Sequence, residues 1–169
     1  MRVGCLALAL LVSAVLAPAQ LRRAPGFSLP SSDNRQEDLA EYRGKFVLID
    51  IMKTDCPHCG TFARVLERVK TRYGNKIAIL SIAPAPDNPT TAAKFIAANK
   101  ITFPILFDCG QVVYSYVRSP SVTLPRLYIV NPEGFIAKEY AYGPDTQEIF
   151  EGNGLFAELD SLLGAAKAR

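Results

Sequence analysis

Two cysteines three residues apart, Cys56 and Cys59, are the residues of this sequence best suited to do chemistry. Pro57 between them favours the first turn of a helix, where its missing N–H costs no hydrogen bond. Helix positions i and i+3 lie about 5–6 Å apart, which is compatible with the geometry of a disulfide. The positive end of the helix favours a thiolate. The pair therefore predicts a disulfide that opens and closes in redox chemistry.

Two structural uses of such a pair fit less well. A zinc site needs four ligands, and outside the pair the sequence offers only Cys5, Cys109 and a single histidine, His58. A structural disulfide stabilises a fold by removing loop entropy, and so short a loop removes little. We therefore expect no metal, and exchange chemistry between thiols and disulfides needs no cofactor.

Length and composition indicate one ordinary globular domain. The chain has 169 residues, of which 49% are hydrophobic and 21% are charged, so it can bury a core without help from cysteines. The formal net charge is +3 without a basic cluster, which is too weak to suggest nucleic acid as a partner. We expect a monomer.

The N-terminus is typical of an export signal. Arg2 gives a positive start, an apolar run extends over 6–16, and residues 17–19 read Ala-Pro-Ala, a cleavage pattern. We expect cleavage after Ala19, which leaves residues 20–169 as the mature domain; a retained leader would instead tether the domain to the membrane. Either outcome places the domain in the periplasm or another extracytoplasmic compartment, where disulfides persist.

Hydrophobic periodicity predicts alternating strands and helices over the rest of the chain. The predicted strands are 27–29, 45–52, 77–83, 103–107, 126–130 and 135–140, and the predicted helices are 57–73, 90–99, 110–118 and 146–163, with a helical turn at 38–42. Pro104 places its strand near a sheet edge, and Gly152 and Gly154 are expected to kink or fray the start of the last helix. This order predicts an α/β fold, with a central mixed sheet and helices on both faces.

The order of the elements and several short motifs resemble the thioredoxin superfamily. The motifs are APGFSL at 24–29, Arg43-Gly44-Lys45 before the first long strand, C-P-H-C at 56–59, and Leu124-Pro125 before the strand at 126–130. Within the superfamily the chain is similar to the exported TlpA/ResA-like thiol-disulfide oxidoreductases over residues 24–163. The resemblance implies a thioredoxin-like fold with an N-terminal extension and an extra helix and strand at 87–108.

The resemblance implies exchange of disulfides with partner proteins, and a redox partner that recycles the site. Cys56, at the exposed helix start, is the candidate nucleophile, and Cys59 is the candidate resolving thiol. C-P-H-C is similar to the dipeptide pattern of the oxidising DsbA group. Asp55 stands where the family usually has a tryptophan, and Phe62 replaces the acidic residue of some cytochrome-maturation members.

Asp50 is a carboxyl inside an otherwise apolar strand, where an unpaired charge is expensive. The resemblance implies that Asp50 relays a proton for Cys59. The alternative is an ion pair with one of three lysines, Lys45, Lys53 or Lys138.

Leu124-Pro125 precedes the strand expected to pack against the cysteine turn. The resemblance implies a cis peptide bond here, with Pro120 as the rival position. The backbone of Leu124 and Pro125, together with Pro57, would then offer an edge to an extended substrate.

Two further side chains have open roles. His58 is placed to donate to the Cys56 thiolate or to put charge beside it, and the alternative is a solvated imidazole. Cys109 ends a strand that is expected to run parallel to the one leading to Cys56, so it would lie at the same sheet edge; the alternative is a packed free thiol.

Two other functions compete with disulfide exchange. Peroxiredoxins resemble this fold but need a threonine three residues before their cysteine, a position that Lys53 occupies here. A binding domain that kept the fold and makes little use of its cysteines is the other alternative.

Overall fold

A five-stranded mixed sheet forms the centre of the protein in a computed structural model that describes residues 21–119 and 121–167. The strands are β1 Ser28–Pro30, β2 Gln36–Asp38, β3 Phe46–Ile51, β4 Ile77–Pro84, β5 Ile105–Asp108, β6 Arg126–Val130 and β7 Ile136–Ala141. The helices are α1 Pro57–Tyr73, α2 Pro89–Asn99, α3 Gln111–Val117, α4 Gln147–Glu151 and α5 Asn153–Lys167. The sheet order is β5-β4-β3-β6-β7, parallel from β3 to β5 and antiparallel at β6 and β7. The predicted α/β domain with a partly parallel sheet is confirmed.

The central strand β3 leads to the cysteine pair and is buried along its whole length. Leu48 packs in the core that contains residues of α1 and α5, whereas Val47 and Ile49 pack in the core that contains residues of α3 and the N-terminal segment. Successive side chains of a strand face opposite sides of the sheet, so a strand covered on both faces must be apolar at nearly every position. This explains the apolar run predicted as a strand at 45–52.

Helix α1 matches the predicted bounds 57–73. Pro57 stands at its first position, and the buried residues Phe62, Leu66 and Val69 recur at helical spacing. Gly74 ends the helix with a positive φ of 54°, which favours glycine. The sequence therefore defines both ends of the helix that carries the cysteines.

An extra helix and strand, α2 and β5, follow β4, as predicted for 87–108. Asn88 caps α2, because its Oδ1 accepts hydrogen bonds from the backbone N–H groups of Thr90 and Thr91 at 2.9 and 3.3 Å. β5 is an edge strand, as Pro104 indicated. The N-terminal extension covers that edge, where the Ser32 N–H donates to the Ile105 carbonyl at 2.8 Å.

The C-terminal helical segment differs from the prediction. The expected kink in a helix at 146–163 is a complete break at Gly152, which separates α4 from α5. Gly152 has a φ of 110°, and a Cβ there would lie 2.8 Å from the Arg68 guanidinium, so both backbone conformation and space favour glycine.

Two further observations concern the N-terminal part. The sequence did not predict β2, which pairs antiparallel with β1. The helices of the described ranges include none that is long and apolar enough to span a bilayer. The predicted leader lies outside the described residues.

Candidate active site

The two cysteines occupy different environments at the start of α1. Cys56 is the N-cap residue in an extended conformation, and its Sγ accepts a hydrogen bond from the Cys59 N–H at 3.3 Å. Cys56 is partly exposed, whereas Cys59 is fully buried; both are free thiols. Of this pair, a large partner can therefore reach only Cys56.

Asp50 lies beneath the cysteine pair, with its side chain almost completely buried. It pairs in register with Ser81 of β4, and the Ser81 hydroxyl donates to Asp50 Oδ2 at 3.0 Å. Within the described ranges, Asp50 Oδ1 has no hydrogen-bond partner. Burial raises the pKa of Asp50 to about 7, and the Ser81 hydrogen bond opposes that rise. Asp50 therefore changes charge near neutral pH.

None of the three lysines weighed as partners neutralises Asp50 in the part of the chain that the structure describes. Lys138 instead pairs with Glu158 at 3.2 Å. The ion-pair alternative for Asp50 is therefore wrong.

Cys59 is electrostatically linked to Asp50. Burial raises the pKa of the Cys59 thiol, and the charge of Asp50 and a hydrogen bond involving Cys56 raise it further. Cys59 is therefore a neutral thiol at rest, and it must lose a proton before it can attack.

His58 stacks on Tyr142 instead of bonding to Cys56. The ring centroids lie 4.3 Å apart with an interplanar angle of 26°. No hydrogen bond joins the imidazole to Cys56 in the described parts of the chain. The Tyr142 N–H donates to the Pro125 carbonyl at 3.0 Å, which ties this stack to the segment before β6. The sequence did not point to Tyr142, because its contact with His58 spans 84 positions.

The Leu124–Pro125 peptide bond is cis, as predicted. Leu124 is partly buried and Pro57 is exposed, while the rival Pro120 lies outside the described residues. A second cis bond, Ala85–Pro86, was not predicted.

Asp87 holds the turn that precedes Cys56, a role that the sequence did not reveal. Asp87 Oδ2 accepts from the Thr54 N–H at 3.0 Å, and Oδ1 accepts from the Thr54 hydroxyl. The Thr91 hydroxyl of α2 donates to the same Oδ1 at 2.9 Å. One carboxylate thus connects the cysteine turn to α2.

Replacing Asp87 with alanine should lower the free energy of unfolding by about 2 kcal/mol, because three partly buried donors, the Thr54 N–H and the hydroxyls of Thr54 and Thr91, lose a charged acceptor. Urea denaturation of the reduced protein measures this. Asp145→Ala is the matched control, since that exposed carboxyl forms no side-chain hydrogen bond or ion pair in the described ranges. Equal stability of the two variants would contradict this role of Asp87.

Cys109 lies at the carboxyl end of β5 and is exposed, so the packed-thiol alternative is wrong. β3, β4 and β5 are parallel, and Cys109 therefore lies at the same sheet edge as the cysteine turn. Cys56 and Cys109 nevertheless line separate pockets.

Comparison with known proteins identifies the family. The model of the AhpC/TSA family matches residues 21–139. The chain belongs to the AhpC/TSA family. This chain is 26% identical over 117 residues to the thioredoxin-like protein YneN of Bacillus subtilis. The alignment covers 68% of this chain and 67% of YneN. The chain is 26% identical over 130 residues to the thiol-disulfide oxidoreductase ResA of Halalkalibacterium halodurans, covering 76% and 72% respectively.

Solved structures confirm the thioredoxin-like fold of this AhpC/TSA family member. A putative thioredoxin from Neisseria meningitidis superposes with a TM-score of 0.69 at 22% identity, covering 89% of this chain and 95% of that one. A putative thiol:disulfide interchange protein DsbE from Chlorobium tepidum gives a TM-score of 0.68 at 21% identity, with 83% and 99% covered.

Proposed function

We propose that the protein is an exported thiol-disulfide oxidoreductase that exchanges disulfides with partner proteins through Cys56 and Cys59. The observation that carries the proposal is the partly exposed Cys56 at a helix N-terminus, with the buried Cys59 one turn further along the helix. A thiolate at such a place is both stabilised and accessible. The relatives named as thiol-disulfide oxidoreductases agree with this chemistry.

The exchange has two steps. The Cys56 thiolate attacks one sulfur of a partner disulfide, so that a mixed disulfide forms and the second partner sulfur leaves as a thiolate. Cys59 then attacks Cys56, which forms the Cys56–Cys59 disulfide and releases the first partner sulfur. Two electrons pass to the partner, and a redox partner returns them to the site. The reverse sequence oxidises a partner dithiol.

Asp50 serves the second step in this scheme. As a buried carboxylate next to a buried thiol, Asp50 accepts the Cys59 proton when Cys59 attacks. Its pKa of about 7 allows it to take up and release a proton near neutral pH. No metal or cofactor enters the scheme.

The substrate backbone would lie along Leu124 and Pro125, beside Pro57. An extended partner segment can pair with such an edge by main-chain hydrogen bonds.

Export is proposed from Arg2, the apolar run and the Ala-Pro-Ala pattern at 17–19. Cell fractionation and the mass of the exported form would test cleavage after Ala19.

Reduction of insulin by a dithiol is the assay for the proposed function. We expect the parent protein to accelerate it, and a variant with both cysteines replaced by serine to lose the acceleration completely. Peroxide consumption tests the peroxidase alternative, which Lys53 in the threonine position disfavours. Rapid peroxide consumption, or insulin reduction that survives loss of both cysteines, would contradict the proposal.

His58 is proposed to set the redox potential. Its imidazole lies in the first turn of α1 and helps the helix N-terminus to favour the reduced dithiol. We expect His58→Pro to shift the potential by about −30 mV, the equivalent of about 1.4 kcal/mol for this two-electron couple. Equilibration with glutathione measures the shift. Tyr142→Leu is the control that removes the stack and keeps the imidazole; an equal shift in both variants would assign the effect to stacking.

A further inference from the structure

An open cleft of about 510 Å³ lies beside Cys56, between α1 and α2. Asp55 lines the end next to the nucleophile, and the side chains of Arg64 and Lys94 line the walls formed by the two helices. Buried Phe95 contributes an apolar surface. The cleft thus combines cations with an apolar surface next to the reactive sulfur.

Arg64 is held in place across the cleft. Its guanidinium donates to Asn99 Oδ1 at 2.5 Å and to Thr61 Oγ1 at 3.2 Å. Asn99 packs closely on α1, because a Cβ at Gly60 would lie 3.0 Å from Asn99 Oδ1. The close approach of the two helices therefore fixes the position of this cation.

Neither Arg64 nor Lys94 forms an ion pair within residues 21–119 and 121–167. Lys94 is exposed, and Arg64 uses only part of its five N–H donors on its two neutral acceptors. Both positive charges are therefore available to an anionic group.

The cleft is polarised along α1. Arg64 follows Cys56 by eight residues, a rise of about 12 Å along the helix, and helical side chains tilt back towards the N-terminus. The Arg64 guanidinium thus lies about 10 Å from the nucleophile. Asp55 places a negative charge directly beside Cys56. An anionic group next to the reacting sulfur is disfavoured, while one about 10 Å away is favoured.

We propose that this cleft selects partner proteins with an acidic side chain about three residues from the reactive cysteine. An extended chain rises about 3.3 Å per residue, so three residues span the separation between Cys56 and the Arg64 guanidinium. The proposal rests on the proposed disulfide exchange and adds the chemistry of the preferred substrate. The acidic group binds Arg64 and Lys94 while its cysteine reacts with Cys56.

Two peptides test this preference. One carries glutamate at the third position before and after its single cysteine, the other carries glutamine at both, and each cysteine is activated as a mixed disulfide with thionitrobenzoate. The protein carries Cys59→Ser, so that attack by Cys56 on the peptide sulfur leaves a stable mixed disulfide and releases coloured thionitrobenzoate. Absorbance gives the rate and mass spectrometry identifies the adduct. We expect the glutamate peptide to react about fivefold faster at low salt, with a smaller advantage at high salt.

Three charge variants assign the preference to the cleft. Lys94→Gln should reduce the glutamate advantage in part, and Arg64→Gln with Lys94→Gln should bring the rate ratio close to one. Lys45→Gln removes the same charge from an exposed side chain at the opposite end of β3 and should keep the ratio.

Each possible result decides the proposal. Equal rates for the two peptides, a ratio that survives the double replacement, or a ratio lost equally in Lys45→Gln would overturn the cleft preference and leave disulfide exchange standing. Absence of reaction with both peptides would instead contradict the proposed exchange itself, and the cleft preference with it.

Discussion

Replacing Cys59 with serine should trap covalent complexes with exported proteins, and replacing Cys56 with serine should abolish them. Cys56 is partly exposed at the N-cap of α1, whereas Cys59 is fully buried. Without Cys59 the mixed disulfide forms and cannot resolve, so it accumulates. Non-reducing electrophoresis followed by mass spectrometry of the trapped partners measures the effect.

Cys109→Ser is the control for this experiment, because Cys109 is the other exposed thiol of the described residues. Combined with Cys59→Ser, it should leave the pattern of trapped partners unchanged. Equal trapping by the two active-site variants would remove the assigned order of attack. Loss of the complexes when Cys109 is also replaced would show that Cys109, and not Cys56, attacks the partner.

Replacing Asp50 with asparagine should slow release of the partner from the mixed disulfide about a hundredfold at neutral pH. This is the lower end of the rate loss usual when a general base is removed. Asp50 must be ionised to accept the Cys59 proton, and burial raises its pKa to about 7. In the parent, resolution should therefore accelerate as pH rises through 7; in Asp50→Asn this rise should vanish. Rapid mixing with an activated peptide disulfide measures the step.

Ser81→Ala provides a graded control for Asp50. The Ser81 hydroxyl donates to Asp50 Oδ2 and lowers its pKa, so removal of the hydroxyl should move the rise in rate to higher pH without abolishing it. A pH–rate profile that is the same in parent, Ser81→Ala and Asp50→Asn would reduce Asp50 to a structural residue.

Asp50→Asn should also change how the free energy of unfolding depends on pH. Between about pH 4 and 7 the unfolded chain has lost the Asp50 proton while the folded protein keeps it, so stability of the parent falls as pH rises. A pKa raised from 3.8 to about 7 corresponds to a loss on the order of 4 kcal/mol above pH 7. Asp50→Asn lacks this loss, and its gain over the parent in urea denaturation should grow from pH 4 to pH 8.

Local sequence signals were sufficient for much of the fold. The bounds of α1 follow from Pro57, a regular apolar stripe and Gly74, and those of β6 follow from a short apolar run between proline and a turn. β2 escaped prediction because only its pairing with β1 makes it a strand. The break at Gly152 depends on packing against Arg68, a contact across 84 positions.

The candidate site likewise contains residues that local sequence predicts and residues that only the fold brings together. Cys56, Cys59 and Asp50 were predicted because a short motif and a charge in an apolar strand are visible locally. Asp87 and Tyr142 were missed, since each is brought to the cysteine turn by a different part of the fold. The orientation of His58 depends on Tyr142 and could not be predicted from its neighbours in the sequence.

The position of β3 in the sheet has a consequence for partial opening of the protein. β3 is hydrogen-bonded on both sides, to β4 and β6, and all its residues are buried, whereas β7 is an edge strand with exposed residues. Amide hydrogens of β3 should exchange with solvent only when the whole domain unfolds, while those of β7 exchange through local fraying. Asp50 is part of β3, so edge fluctuations leave this buried carboxyl in place. Asp50 therefore belongs to the last part of the molecule to lose its structure, whereas Tyr142, which follows the edge strand β7, does not.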